Sequence, residues 1–158
     1  MIIGGGPIGV EMAQAHRRLG CRVTMIEAAT ILAKDDPEIR AILVARLREE
    51  GIEIIEGVGV TKTGGKAGAL TLTLEDGRRI KTSHILVAAG RRPGITDLGL
   101  ESAGIAAGRN GIITDARLRT SDRRVFAIGD VTGRPQFTHV AGYHAGIVIH
   151  NMLFRQPA

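Results

Sequence analysis

Cysteine is nearly absent: Cys21 is the single one in 158 residues. One thiol cannot form an internal disulfide or a CxxC metal or redox pair. Such low usage fits a reducing compartment, and a cytoplasmic location is expected. Cys21 itself reads as a small core or edge residue beside Arg22 and Val23. Aromatics are almost as scarce, at 3 % with no tryptophan, so the chain has no stacking platform for single-stranded nucleic acid. Its 21 Lys and Arg exceed its 16 acids, for a formal charge of +5. The basic residues fall in scattered pairs, such as Arg17 and Arg18 or Arg91 and Arg92, and not along the single stripe that tracks a phosphate backbone. No nucleic-acid partner is expected. No apolar run approaches the roughly 18–20 residues that cross a bilayer, so no membrane partner is expected either. Met1 opens directly on an apolar scrap, without the basic region of a signal peptide.

What the chain has is apolar residues at 44 %, charged residues at 23 % and 22 glycines. The first two values are those of a folded globular domain. The glycines mean that many backbone positions turn tightly or approach something closely.

Residues 1–3 read as the end of a strand, followed by GGGPIG. Ile8, Met12, Ala15 and Leu19 recur at helical spacing up to Gly20, the expected C-cap. Residues 22–26 read as a strand. A second helix begins with Asp36 as N-cap, Pro37 at the first position and Glu38 in the first turn, and Gly51 ends it. Its expected buried stripe is Ile39, Ile42, Leu43 and Leu47. Residues 52–55 follow as a strand. This β-α-β-α-β order predicts a parallel sheet with right-handed crossovers. Leu70, Leu72 and Leu74 then alternate with Thr71 and Thr73, with turn signals at Gly64-Gly65 and Asp76-Gly77, which predicts a small antiparallel meander. Ile85–Val87 reads as a further, buried strand. Residues 95–124 are loop-rich, 125–128 read as a strand, and Thr138 could cap a last helix carrying Val140, Ile147, Val148 and Leu153. A domain boundary is expected near 90–94.

Gly4, Gly6 and Gly9 match GxGxxG. A strand precedes them, a helix follows, and Glu27 ends the next strand, which is the context that gives this pattern meaning. The first glycine permits the turn, the second lets backbone approach a pyrophosphate, and the third lets helix and strand pack closely. The helix N-terminus presents unpaired N–H groups to the phosphates. Glu27 would accept from the adenosine ribose hydroxyls and repel a 2′-phosphate, so NAD is favoured and NADP is less so. Such glycines can also do no more than make a tight βα turn.

IIGGGPIGVEMA (2–13), Glu27, VAAGRRP (87–93) and TSDRRVFAIGD (120–130) come in an order that resembles the pyridine nucleotide-disulfide oxidoreductases, in particular their dihydrolipoamide dehydrogenase and mercuric reductase branch. The resemblance implies an α/β fold: a Rossmann-like three-layer NAD(P)-binding domain over 1–90 with a small antiparallel meander, and an incomplete part of an FAD-binding domain over 91–158. It places Gly4, Gly5, Gly6, Pro7, Ile8 and Gly9 in the dinucleotide loop, with Ile8 near the nicotinamide. Glu11 falls on a glutamate that pairs, in the family, with a lysine beside the flavin. Val58 and Gly90 resemble positions lining the dinucleotide cleft. Gly129 and Asp130 resemble the second flavin motif, whose aspartate binds ribityl hydroxyls. His139 falls near a family histidine. His139, His144 and His150 lack the i, i+4 spacing of a metal pair, and no metal is expected.

The implied cofactors are NAD and, in a full-length parent, FAD; the implied partners are small dinucleotides and, for that parent, a second copy of itself. The family's redox-cysteine segment and its dimerisation domain have no counterpart in these residues, so a fragment is expected, with no catalytic residue assigned. Three functions stay open: part of an oxidoreductase that passes hydride from NADH through FAD to a disulfide or similar acceptor, a stand-alone NAD(H)-binding module, and a non-functional remnant.

Overall fold

A β-α-β-α-β order leaves little choice of sheet, and the computed structural model, which describes residues 1–154, builds it. The chain divides into two units, Met1–Gly90 and one that begins at Arg91. In the first, β1 (Ile2–Ile3), α1 (Pro7–Arg18), β2 (Thr24–Glu27), α2 (Pro37–Glu49) and β3 (Glu53–Glu56) follow in turn. β1 pairs in parallel with β2, and β2 with β3. The antiparallel β4 (Val60–Lys66), β5 (Ala69–Leu74) and β6 (Arg79–Thr82) come next, before β7 (Leu86–Val87), exposed and not buried as expected, returns to the free side of β1. The parallel sheet therefore runs β3-β2-β1-β7.

Alternation along the strands makes three layers. Ile2, Met25 and Ile54 point one way, into a core with Val10 and Ala13 of α1 and Val44 and Leu47 of α2. Ile3, Ile26 and Ile55 point the other way, into a second core with Leu72, Leu74 and Val60 of the meander. Met25, Leu47 and Leu72 are fully buried.

Several local expectations shift. Each of the first two helices ends ahead of its glycine: Leu19 and Glu50 are the C-caps, and Gly20 and Gly51 lie just beyond. Asp36 caps α2 as expected, its Oδ1 accepting from the Glu38 and Ile39 amides at 2.9 and 3.2 Å. The buried stripes are rotated. Ile8, Leu19, Ile39 and Ile42 are exposed, while Val10, Ala13 and Val44 are buried. Gly64-Gly65 is not a turn; both glycines pair within β4, and the chain reverses between Lys66 and Ala69. Cys21 is exposed in the link from α1 to β2.

The unit beginning at Arg91 holds the two-residue strands β8 (Ala107–Gly108) and β9 (Gly111–Ile112), a 3₁₀ turn at Gly129–Thr132 and α3 (Thr138–Leu153). Ile105, Ile112 and Ala127 form its small core. Residues 125–128 do not make a strand, and Phe126 contributes one isolated bridge to Arg119. Phe137, not Thr138, is the N-cap residue of α3, without a side-chain cap.

Candidate functional site

The loop from β1 into α1 explains most of its glycines by packing. At Gly4 (φ +108) a Cβ would overlap the Ala88 carbonyl, at Gly9 it would overlap the Gly4 carbonyl, and at Gly5 it would stand 2.6 Å from Ile31 Cγ1. Gly6 differs. Its φ of −74° suits any residue, and a Cβ there would meet nothing within 4 Å. Neither backbone nor packing requires glycine at this position; open space beside the loop is what its lack of a side chain preserves.

That space is a cleft of about 480 Å³ at the C-terminal ends of β1, β2 and β7. Gly4, Gly6, Pro7 and Ile8 line it on the loop side, Glu27 and Ala28 at the end of β2, Gly59 and Val60 ahead of the meander, and Ala88–Gly90 after β7. It lies where chain connections leave β1 in opposite directions, the place where open parallel sheets bind ligands.

Pro7 opens α1 and has no amide hydrogen. The amides of Ile8 and Gly9 have no partner among the described residues, and the first turn carries no acid. Unpaired N–H groups and the positive end of the helix dipole therefore face the cleft, which favours an anion there. Glu27 fixes the loop's other side. Its Oε2 accepts from the Gly5 amide at 2.6 Å and its Oε1 from the Ala29 amide at 3.0 Å. Each oxygen retains a lone pair for a hydroxyl donor.

Of the residues singled out from sequence, Gly4, Gly6, Pro7, Ile8, Glu27 and Gly90 line this one cleft, and Gly5 and Gly9 support it. Val58 does not line it; the side chain is buried in the meander core, and its neighbours Gly59 and Val60 reach the cleft. Glu11 is exposed on α1, outside the cleft lining. Sequence reasoning did not single out Ala28, Gly59, Ala88 or Ala89. Their signal is the run of small residues just past strand ends.

In the other unit, Gly129 (φ +68) is buried and opens the 3₁₀ turn. Its amide donates to His144 Nδ1 at 3.0 Å, a buried bond that ties the turn to α3. His144 is therefore the neutral tautomer with its proton on Nε2. Burial pushes its pKa below the usual histidine value, and nearby Arg134 acts in the same sense. The Asp130 carboxylate, half exposed, stands 3.8 Å from the Arg91 guanidinium. Phe137 and His139 stack at the start of α3 with ring centroids 5.3 Å apart. No cluster of three metal-ligating side chains occurs among the described residues, and no described helix is long and apolar enough to cross a membrane.

Residues 1–145 match the family model "Pyridine nucleotide-disulphide oxidoreductase". The chain is 39 % identical to a mercuric reductase of Streptomyces lividans, over 97 % of this chain and 33 % of the relative. It is 35 % identical to a dihydrolipoyl dehydrogenase of Geobacillus stearothermophilus, over 93 % of this chain and 32 % of the relative. Among solved structures, an HOCl-induced flavoprotein disulfide reductase from Escherichia coli superposes with a TM-score of 0.90 at 33 % identity, covering 99 % of this chain and 36 % of that one. The chain spans about a third of the length of the curated relatives it matches.

Proposed function

Because the chain belongs to the pyridine nucleotide-disulphide oxidoreductase family, whose members use FAD and NAD(P)H, we propose that Met1–Gly90 is the pyridine-dinucleotide module of such an oxidoreductase. NAD(H) is the preferred ligand. The residues from Arg91 onward carry part of a flavin site, completed in a full-length, dimeric parent. The observation that carries this reading is Gly6, whose missing side chain leaves open the space where a Cβ would stand, beside the unpaired Ile8 and Gly9 amides.

When both cofactors are bound, the nicotinamide supplies a hydride that the flavin accepts. The chain's own residues bind and orient. The α1 amides hold a diphosphate, Glu27 receives a ribose diol in a geometry already fixed by the Gly5 and Ala29 amides, and exposed Ile8 offers an apolar face at the cleft mouth. Asp130 would accept from flavin hydroxyls, and the N-terminus of α3, which no side-chain hydrogen bond caps, would face developing negative charge. The 158 residues hold one cysteine, so a two-cysteine disulfide centre is not among them, and the chain alone is expected to be inactive as a disulfide reductase.

A second reading, a binding module without catalysis, has its own support: the cleft is lined wholly by residues of Met1–Gly90. Both readings are tested by melting the 158-residue chain with NADH. A ligand at a hundred times its Kd adds about 2.7 kcal/mol, so millimolar NADH is expected to raise Tm measurably. A Tm unmoved by NADH overturns both and leaves the remnant. Reduction of lipoamide by the isolated chain would overturn its expected inactivity.

A further inference from the structure

Glu56, the last residue of β3, does not line the cleft. It nevertheless lies beside Glu27 in the register of the parallel sheet. Both side chains leave the same face, that of Met25 and Ile54. Like charges so placed repel one another, and the two carboxylates are turned to different partners. Glu56 Oε1 accepts from the Ile31 amide at 2.9 Å, and its Oε2 stands 3.6 Å from the Arg48 guanidinium. Ile31 is fully buried, so its amide has no water to turn to and depends on this acceptor.

What Glu56 holds is the loop that leaves β2, residues 28–32. The Gly57 amide holds the same loop by the Ala29 carbonyl, at 2.9 Å. The loop is in turn fastened to the glycine turn. Ile31 Cγ1 occupies the space a Cβ on Gly5 would need, and the Leu32 amide donates to the Gly5 carbonyl at 2.8 Å. Leu32 itself adopts φ +52, a left-handed conformation uncommon for leucine. Such strain persists only where the surroundings over-determine it, and it clusters at ligand clamps. The two amides that grip the Glu27 carboxylate both belong to this assembly: Ala29 is in the loop, and Gly5 is bonded to it. Glu27 is thus aimed by a loop whose middle is pinned by Glu56.

We propose that Glu56 is a positioning residue for coenzyme choice: through the Ile31 amide it seats the loop that orients the Glu27 carboxylate toward a ribose diol, and so sets the preference for NADH over NADPH. This inference rests on the dinucleotide reading above. A carboxylate held in the binding geometry loses no freedom when the diol arrives, whereas a loose one must be ordered first. What Glu56 contributes is the place of an acceptor oxygen. A second negative charge beside Glu27 is the competing account, because it would disfavour a 2′-phosphate by repulsion alone; the Arg48 guanidinium offsets that charge.

Two near-isosteric substitutions in the 158-residue chain separate position from charge. Glu56→Gln keeps an acceptor in place and removes the charge. Glu56→Asp keeps the charge and withdraws the acceptor by one methylene. Fluorescence titration with NADH and NADPH, beside a thermal melt of each variant, reads the outcome. Glu56→Gln is expected to hold the NADH/NADPH affinity ratio within about twofold of wild type, the scatter of independent sites. Glu56→Asp should weaken NADH about tenfold, the scale of a hydrogen bond to a charged group, and weaken NADPH less, so that the ratio falls. In a Glu27→Ala background the same Glu56→Asp change should alter NADH affinity by less than about twofold, because a residue that acts through another has nothing left to act on. A ratio lost in Glu56→Gln and kept in Glu56→Asp assigns the effect to charge and overturns the proposal. So does a ratio that neither variant moves, a Glu56→Asp chain that loses only Tm, or an equal loss in the Glu27→Ala background. A wild-type chain without a preference for NADH overturns this inference alone; one that binds neither coenzyme overturns the dinucleotide reading and this inference with it.

Discussion

Gly6→Ala separates a ligand-facing glycine from a packing one. At the N-cap, alanine is worse than glycine by several tenths of a kcal/mol to about 1. Against that, replacing glycine where φ is compatible gains about 0.4–1 kcal/mol by restricting the unfolded chain, and φ at Gly6 is −74°. With no atom within 4 Å of the new Cβ, the terms nearly cancel. Tm should stay within a few degrees of wild type, at about 2–4 °C per kcal/mol for a chain of this size. Binding should not survive so well. A methyl forced into space a diphosphate occupies costs about 1–3 kcal/mol, or about 5- to 150-fold in Kd. Gly9→Ala is the contrast: its Cβ overlaps the Gly4 carbonyl, so it should lower Tm whether or not ligand is present. Thermal melts and fluorescence titration with NADH on the two variants check the pair. A Gly6→Ala chain that binds NADH at wild-type affinity, or that loses as much Tm as Gly9→Ala, refutes the reasoning.

Glu27→Ala removes the acceptor of the Gly5 amide and of the expected ribose contact. It should weaken NADH by roughly ten- to a hundredfold, on 1.5–3 kcal/mol for a charged hydrogen bond, and weaken NADPH less; titration of both shows the role to be wrong if their ratio holds. Asp36→Ala removes the α2 cap bonds and should cost about 1 kcal/mol, read as a Tm lower by about 2–4 °C; an unchanged melt would show that the cap is already compensated. Burial holds His144 below the usual histidine pKa of about 6.5, so the unfolded chain takes up that proton first. Its contribution is complete above about pH 6.5 and is lost as pH falls through the folded value. Urea midpoints should therefore drop on acidification, and less steeply in His144→Gln; equal slopes would place the acid sensitivity elsewhere.

Features written in adjacent residues were legible from sequence. Of the glycine pattern and its acidic partner, Gly4, Gly6 and Glu27 line one cleft, and Gly9 packs behind them against the Gly4 carbonyl. Asp36-Pro37 predicted the start of α2 to the residue. What depended on distant packing was not. Helical spacing alone could not tell that α1 buries Val10 and Ala13 while Ile8 faces the cleft, because which face turns inward is decided by the sheet beneath. Gly64-Gly65 carries turn chemistry, yet Leu70 and Thr71 pair against it, and cross-strand pairing outweighed the local signal. Phe126 lacks a neighbouring strand long enough to extend its single bridge. His144 read as one more helical histidine; its place as acceptor for Gly129 exists only once residues 15 apart are folded together.

The position of β1 has a consequence for the order in which this molecule is made. Two residues, Ile2 and Ile3, bridge β2 on one side and β7 on the other, with partners near 25 and near 86. The glycine turn rests on the Ala88 carbonyl. During synthesis the glycine loop emerges from the ribosome some eighty residues ahead of its floor, and pairings that span such lengths form slowly. The segment proposed to bind is thus translated well before the strand that completes it and is among the last to take shape, which makes the nascent chain, rather than the finished one, the stage at which this fold is most exposed to error.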